Sequence, residues 1–349
     1  MKKVITLFAM MLSLAASATT PEQYQQQIQQ AYFTGNFQKY FELACQYFSE
    51  YQTIDGLLQI AEAYSSGEGV EQDSQKAAEC FDIIIKALEQ SPSIDDTIKA
   101  LLGYCYRMYG SNIIQTKGYD MSHVFTREDF QPYYKAAEYG DATSMYMIGH
   151  SYLSGDYKTI SEADAINFLK KAGEKNCIMA LSDLGNYYDD NGDSDTALQY
   201  YIQGANTPLF SSAESNDPLA ILINPNNIRN KWVIECHDSC IFNVGHAYYN
   251  IEEEAEALKW LEKLTSDVPK YLNLRAQCYL ITGDKEKCMR DLKRSIQLEP
   301  DPKIYDFMGI ICAESGEMDE AEKYFDTAIK LGNTKAAEHK NEYLNPVRQ

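Results

Sequence analysis

The sequence predicts an all-α chain, a right-handed superhelix of stacked helix hairpins, and three observations predict it. In the stretch Gly56 to Leu88, GLLQIAEAYSSGEGVEQDSQKAAECFDIIIKAL, apolar and small residues recur at helical spacing in two runs. Leu57, Leu58, Ala61 and Tyr64 form the first run, and Ala77, Ala78, Phe81, Ile84 and Ile85 form the second. Gly67 and Gly69 part the runs, so the chain turns back and the helices approach closely where side chains are small. The same signature then returns down the chain, with the first-helix glycines Gly149 and Gly185 standing 36 residues apart. One hairpin cannot bury its own apolar face, and stacked neighbours complete the core.

The N-terminus carries Lys2 and Lys3, an apolar run from Val4 to Ala16, and the small triplet Ala16, Ser17 and Ala18. That order fits a secretory signal peptide over residues 1–18, cleaved after Ala18. The apolar run is shorter than the roughly 20 residues that cross a bilayer, and no cysteine follows the small residues as a lipoprotein would require. The expectation is an exported chain, periplasmic or secreted, with no membrane insertion after cleavage.

From Pro21 to Tyr51 an opening helix pair bends at Gly35 and Asn36, and the hairpin described above follows. Thr97 to Tyr109 supplies another first helix through Leu101, Leu102, Gly103 and Tyr106. Gly110 to Thr126 is polar and weakly periodic, and reads as a long insertion, a feature that usually marks function or mobility. Its second helix resumes at Tyr133, Tyr134, Ala136 and Ala137. Ile148, Gly149, Tyr152 and Gly155 pair with Ala165, Phe168 and Ala172; Leu184, Gly185, Tyr188 and Gly192 pair with Ala197, Tyr200 and Tyr201. Asn206 to Cys240 breaks the pattern with Pro208, Pro218, Pro225 and an AILI run at residues 220–223. Beyond it Gly245 to Ala257, Ala276 to Cys288, and Gly309 to Ala321 are each 12 positions apart, and Thr334 to Tyr343 reads as a polar capping helix. The organisation expected is a repeat block over 19–205, a connecting segment over 206–240, a second block over 241–332, and a cap and tail over 333–349. It amounts to seven or eight hairpins.

The pattern AxAYxxGxGVxxDxxKA from Ala61 to Ala77 resembles a Sel1-like repeat, a variant of the tetratricopeptide repeat. The 16-position step from Ala61 to Ala77 and from Gly149 to Ala165 is the longer turn of Sel1-like units; the 12-position step from Gly185 to Ala197 and beyond is the tetratricopeptide form. The last unit, IYDFMGIICAESGEMDEAEKYFDTAIKLG, resembles a tetratricopeptide repeat at Gly309, Gly316, Ala321, Phe325 and Ala328, and the unit before it ends in LEP, a common terminator. The resemblance implies a noncatalytic adaptor, without cofactor, that holds a peptide or partner protein in a concave groove. Tyr64, Tyr106, Tyr152 and Tyr188 on first helices are the groove candidates, because an aromatic ring with a polar tip suits peptide binding. The competing assignment for each is the repeat's own packing residue.

Charge narrows the partner. The formal net charge is −20, and removing the signal takes away two lysines and no acids. Nucleic acid and anionic lipid need basic surfaces, so such a balance argues against both and permits basic or neutral partners. Many of the acids serve as solvated helix faces.

Catalytic motifs are absent: the chain has no HExxH, GxSxG, SxxK, P-loop or GxGxxG. DDNGDSD at Asp189 to Asp195 has the look of a calcium loop, yet it lacks the terminal Glu and sits where the repeat needs a turn. Nine cysteines in an exported chain raise the question of disulfides. Some secreted Sel1-like families staple one repeat to the next, but here Gly173 stands at the first of those positions while Cys177 lies near the second. CHDSC puts Cys236 and Cys240 on one helix face around His237. Buried free thiols are the leading reading, a Cys236–Cys240 or Cys278–Cys312 bridge the second, and a metal-handling site from Cys236, His237 and Cys240 the third. An exported enzyme or enzyme subunit, with a site in 110–126 at His123 or in 206–240 at His237, is the alternative from another class.

Overall fold

The computed structural model describes residues 19–119, 123–210, 224–226 and 231–344. Residues 1–18, where a signal peptide is expected, the AILI run, Pro218 and the tail from residue 345 lie outside them. Among the described residues seventeen helices make eight hairpins and a final single helix: α1 (Pro21–Phe33), α2 (Phe37–Tyr51), α3 (Ile54–Ser66), α4 (Ser74–Glu89), α5 (Asp96–Lys117), α6 (Arg127–Glu138), α7 (Ala142–Ser154), α8 (Glu162–Glu174), α9 (Ile178–Asp190), α10 (Ser194–Asn206), α11 (Lys231–Asn250), α12 (Glu254–Leu261), α13 (Pro269–Ile281), α14 (Lys285–Leu298), α15 (Pro302–Glu314), α16 (Met318–Lys330) and α17 (Lys335–Leu344). The described residues contain no strand, only one isolated bridge between Phe125 and Tyr157. The all-α hairpin architecture is as the periodicity predicts.

The chain divides into two compact units. One runs to Asp183 and takes in Phe210 and residues 224–226; the other holds Leu184 to Leu209 and everything from Lys231 onward.

In the first unit, helices start where a side chain can take up orphan N–H groups. Thr20 and Thr126 form capping boxes, and Thr53, Asp73, Asp95, Asp141 and Ser161 each accept from a backbone N–H of the first turn. Between caps, Ile60, Ala61, Ala77, Phe81 and Ile84 are buried in one apolar core. The hairpin α7/α8 shows why a first helix needs glycine: a Cβ on Gly149 would lie 2.5 Å from Leu169 Cγ and 2.8 Å from the Ala165 carbonyl oxygen.

The insertion expected over 110–126 is largely helix, because α5 continues to Lys117. Two of its polar residues, Ser111 and Asn112, face inward. A Cβ on Gly110 would meet Pro132 at 2.9 Å, Ser111 shares a 3.0 Å hydrogen bond with Tyr133, and Asn112 is buried and donates to Met108 O and Ser65 Oγ. Polarity hid a helix whose apolar surface is supplied by its partner α6. The connecting segment also contributes: Asn226 is buried, accepts from Ile178 N at 2.9 Å and donates to Asn176 O at 2.6 Å, clamping the entry to α9.

In the second unit, α11 spans 20 residues from Lys231, so 231–240 is helical rather than irregular. Asp238 explains it. Fully buried, its carboxylate accepts from Thr265 N at 3.1 Å and Ser266 N at 2.8 Å, tying the turn after α12 to the middle of α11. Arg275 and Asp291 make a buried pair at 2.6 Å that joins α13 to α14. In the last described helix, α17, Ala336 is buried against the core of Phe325 and Ala328.

Candidate functional site

Four of the first helices carry a small residue at helical spacing where their own second helix crosses, Ala61, Gly103, Gly149 and Ala276, followed by a polar one. The next residue is rotated by about 100° around the helix, away from that crossing and toward the neighbouring first helix. Those residues are Glu62, Tyr104, His150 and Gln277, and they are polar.

In the first unit they join consecutive first helices through side-chain rungs. Gln59 Nε2 donates to Gln25 Oε1 at 3.0 Å, Tyr104 OH to Glu62 Oε1 at 2.9 Å, and Asn112 Nδ2 to Ser65 Oγ at 3.0 Å. Arg107 Nε meets both oxygens of Asp141 at 3.2 and 3.3 Å, and His150 Nδ1 lies 2.7 Å from Asp183 Oδ2. In the second unit Tyr249 OH donates to Gln277 Oε1 at 3.0 Å, and His339 Nδ1 lies 2.9 Å from Asp306 Oδ2. Tethered polar groups of this kind are held in place before any partner arrives, which lowers the ordering cost of binding.

Glu62 is the most exceptional rung. Burial pushes its carboxyl up to about 7, the Tyr104 hydrogen bond works against that rise, and the nearby Glu68 adds to it. No lysine or arginine among the described residues forms an ion pair with it, since Arg107 is turned to Asp141 and lies over the Tyr104 ring at 5.0 Å. Along the same helix, Gln59 Oε1 and its rung partner's Gln25 Nε2 are buried without hydrogen-bond partners. The first-helix face therefore offers unmet hydrogen-bonding capacity beside a carboxylate that holds one hydroxyl donor.

The tyrosines expected to line a groove do not make this ladder. Tyr64 is buried edge-on against Phe41 at 5.4 Å, Tyr106 stacks on Tyr139 and donates to Glu89 at 2.6 Å, and Tyr152 lies under Lys158. Tyr188 stacks on Tyr200 of its own hairpin at 5.6 Å. They pack hairpins; the rung residues join first helices.

CHDSC is likewise a packing element. Cys236 and Cys240 are buried, the latter with Ala197, Tyr201 and Val244, while His237 is half-buried and its basicity is lowered by that burial. No group of three or more His, Cys, Asp or Glu among the described residues is arranged to hold a metal ion. Cys278 and Cys312 lie in separate apolar clusters. His123 stacks on Tyr119 at 3.5 Å and lies 3.8 Å from Asp129, a buried carboxylate that also accepts from Lys117 at 2.5 Å, Tyr119 at 2.7 Å and Thr126. That hub anchors the α5–α6 connection.

A tetratricopeptide repeat family model matches residues 269–302 and 302–334. No curated protein matches the chain. Among solved structures it is similar to a Sel1 repeat protein from Oxalobacter formigenes, at 17% identity over 78% of this chain and 99% of that one, with a TM-score of 0.50. It is also similar to a protective antigen of uropathogenic Escherichia coli with an SLR fold, at 18% identity over 93% of this chain and 74% of that one, TM-score 0.44. A third likeness is to the C-terminal part of a TPR repeat-containing protein from Cytophaga hutchinsonii, at 13% identity over 80% of this chain and 98% of that one, TM-score 0.44. The fold is that of Sel1-like and tetratricopeptide repeats.

Proposed function

We propose that this chain, built of Sel1-like and tetratricopeptide repeats, is a noncatalytic scaffold that holds a peptide or protein partner on its first-helix face, in the cell envelope or outside the cell. The observation that carries the reading is the Glu62 rung: a half-buried carboxylate on an ordered polar ladder, with one hydroxyl donor and no ion pair among the described residues. Buried charge without a partner is costly, and a donor-bearing group from a partner would relieve it. The net charge of −20 favours partners that bring basic groups. Support for export comes from Lys2, Lys3, the apolar run and the small triplet ending at Ala18; the capping box at Thr20 opens the first helix just beyond. No helix among the described residues is long and apolar enough to cross a membrane.

The test is affinity capture from envelope and culture fractions of the host, using the chain from Thr19 with a C-terminal tag. One enriched protein, lost with Glu62→Gln combined with Tyr104→Phe while helicity by circular dichroism is unchanged, supports the reading. Capture that ignores those substitutions, or no partner at any salt, overturns it. N-terminal sequencing of the exported form tests the address, with Thr19 as the expected first residue.

A further inference from the structure

The charge of this chain is unevenly spread. Residues 259–303 carry ten Lys and Arg against seven Asp and Glu, whereas the whole chain has 31 against 51. Within that segment the cations gather on α14. Lys285, Lys287, Arg290, Lys293 and Arg294 stand on a helix whose only acids are Glu286 and Asp291, and Asp291 is buried and held by Arg275.

Between α14 and α16, both second helices, lies a groove of about 870 Å³. Arg290, Lys293 and Arg294 line one side, and Met289 and Tyr324 give it apolar surface. The positions 290, 293 and 294 share one face of α14, and all three side chains are exposed. Some cations near the groove are already engaged: Lys285 pairs with Glu317 and Arg294 with Asp267, each at 2.7 Å. Arg290 only reaches the far side of the Arg275-bound Asp291, at 3.6 Å. Lys293 makes no ion pair among the described residues. Arg290 and Lys293, three positions apart, thus stand as exposed cations on α14 inside an acidic protein.

We infer that this groove docks a short acidic peptide segment of a partner protein, its carboxylates on Arg290 and Lys293 and its apolar side chains on Met289 and Tyr324. Guanidinium groups pair carboxylates in a two-pronged geometry. A local acidic segment suits the site better than a polyanion, because Glu286, Glu317 and Glu320 also line the groove and the rest of the chain is strongly negative. The site lies on second helices and is independent of the first-helix ladder.

Fluorescence anisotropy on the full chain tests this, with a labelled peptide of alternating Glu and Leu as probe and its Gln/Leu counterpart as control. Saturable binding of the Glu peptide is expected, weakening from low to physiological salt as screening sets in. The double substitution Arg290→Gln with Lys293→Gln should weaken it by about tenfold or more, while Lys99→Gln, at an exposed lysine of α5 outside the groove, leaves it unchanged. Both substituted side chains are exposed, and circular dichroism checks that the fold is intact. Absent binding, equal binding of the Gln peptide, or preference for a DNA duplex or anionic vesicles overturns the proposal. So does salt-sensitive self-association in sedimentation without peptide binding, which would assign the face to a second copy.

Discussion

The Tyr104 hydroxyl donates to the Glu62 carboxylate across 2.9 Å, joining α5 to α3 through residues 42 positions apart in the chain. Burial, opposed by this bond and reinforced by Glu68, raises the Glu62 carboxyl to about 7. A carboxyl raised on folding contributes stability that is complete below its unfolded value of about 4.3 and is lost as pH rises to the folded value. Glu62→Gln removes that loss. Relative to the parent chain, it should therefore be more stable by ~1–2 kcal/mol at about pH 8, with the advantage vanishing near pH 4. Urea melts at both pH values measure it, and a pH-independent difference would contradict the assignment.

Asp129 predicts the opposite sign. Burial opposes ionisation there, but hydrogen bonds from Lys117, Thr126 and Tyr119 outweigh it and hold the carboxyl well below the usual carboxylate range. A depressed carboxyl contributes stability that is present above its unfolded value of about 3.9 and is lost as pH falls toward the folded one. Asp129→Asn should cost ~2–3 kcal/mol at neutral pH, and the gap from the parent chain should narrow below about pH 4. Thermal melts over that range read it out.

Gly149→Ala places a methyl group 2.5 Å from Leu169 Cγ and 2.8 Å from a backbone oxygen that cannot swing aside. We expect a loss of ~1–3 kcal/mol. Leu169→Ala on top of it should cost less than Leu169→Ala alone, because the two substitutions share one contact. Additive losses in that double-mutant cycle would mean that the crossing is not the constraint.

Asp238→Asn leaves the N–H groups of Thr265 and Ser266 facing a weakened acceptor. Hydrogen exchange at those two amides should accelerate more than at the rest of α11, with a stability cost of ~1–3 kcal/mol. Unchanged protection would show that the turn after α12 holds itself.

The cysteines are testable directly. Eight of the nine are buried and Cys45 is half-buried, and burial pushes the Cys45 and Cys80 thiols up to about 12. Without reductant, the native protein should label slowly and at Cys45 first, whereas denaturant should release nine reactive thiols. A count below nine reveals a bridge, with Cys236–Cys240 and Cys278–Cys312 the first pairs to map.

The hairpins were legible because their cause is local. Ala61, Gly149, Gly185 and Gly309 announce themselves as small residues at helical spacing from apolar neighbours, and no distant part of the chain is needed to interpret them. The same local logic went astray at 110–117 and 231–240. Gly110, Asn112 and Asp238 look like loop residues, yet each is buried against an element elsewhere in the chain, and that contact makes the helix. CHDSC shows the same displacement of attention: the cysteines carry the conspicuous pattern, while Asp238 between them holds the turn at Thr265.

The sequence by itself determined the all-α class, the hairpin repeat and the positions where helices cross, since helix periodicity and side-chain size act over a few residues. Only the tertiary structure decided which polar groups meet. The rungs span 34 positions from Gln25 to Gln59, 42 from Glu62 to Tyr104 and 33 from His150 to Asp183. That step changes with the length of every turn between the helices, so no fixed spacing marks it. Glu62 becomes unusual only when stacking buries it beside Tyr104 and turns Arg107 toward Asp141, because burial and the placement of neighbouring charge, rather than residue type, determine what a carboxylate can do.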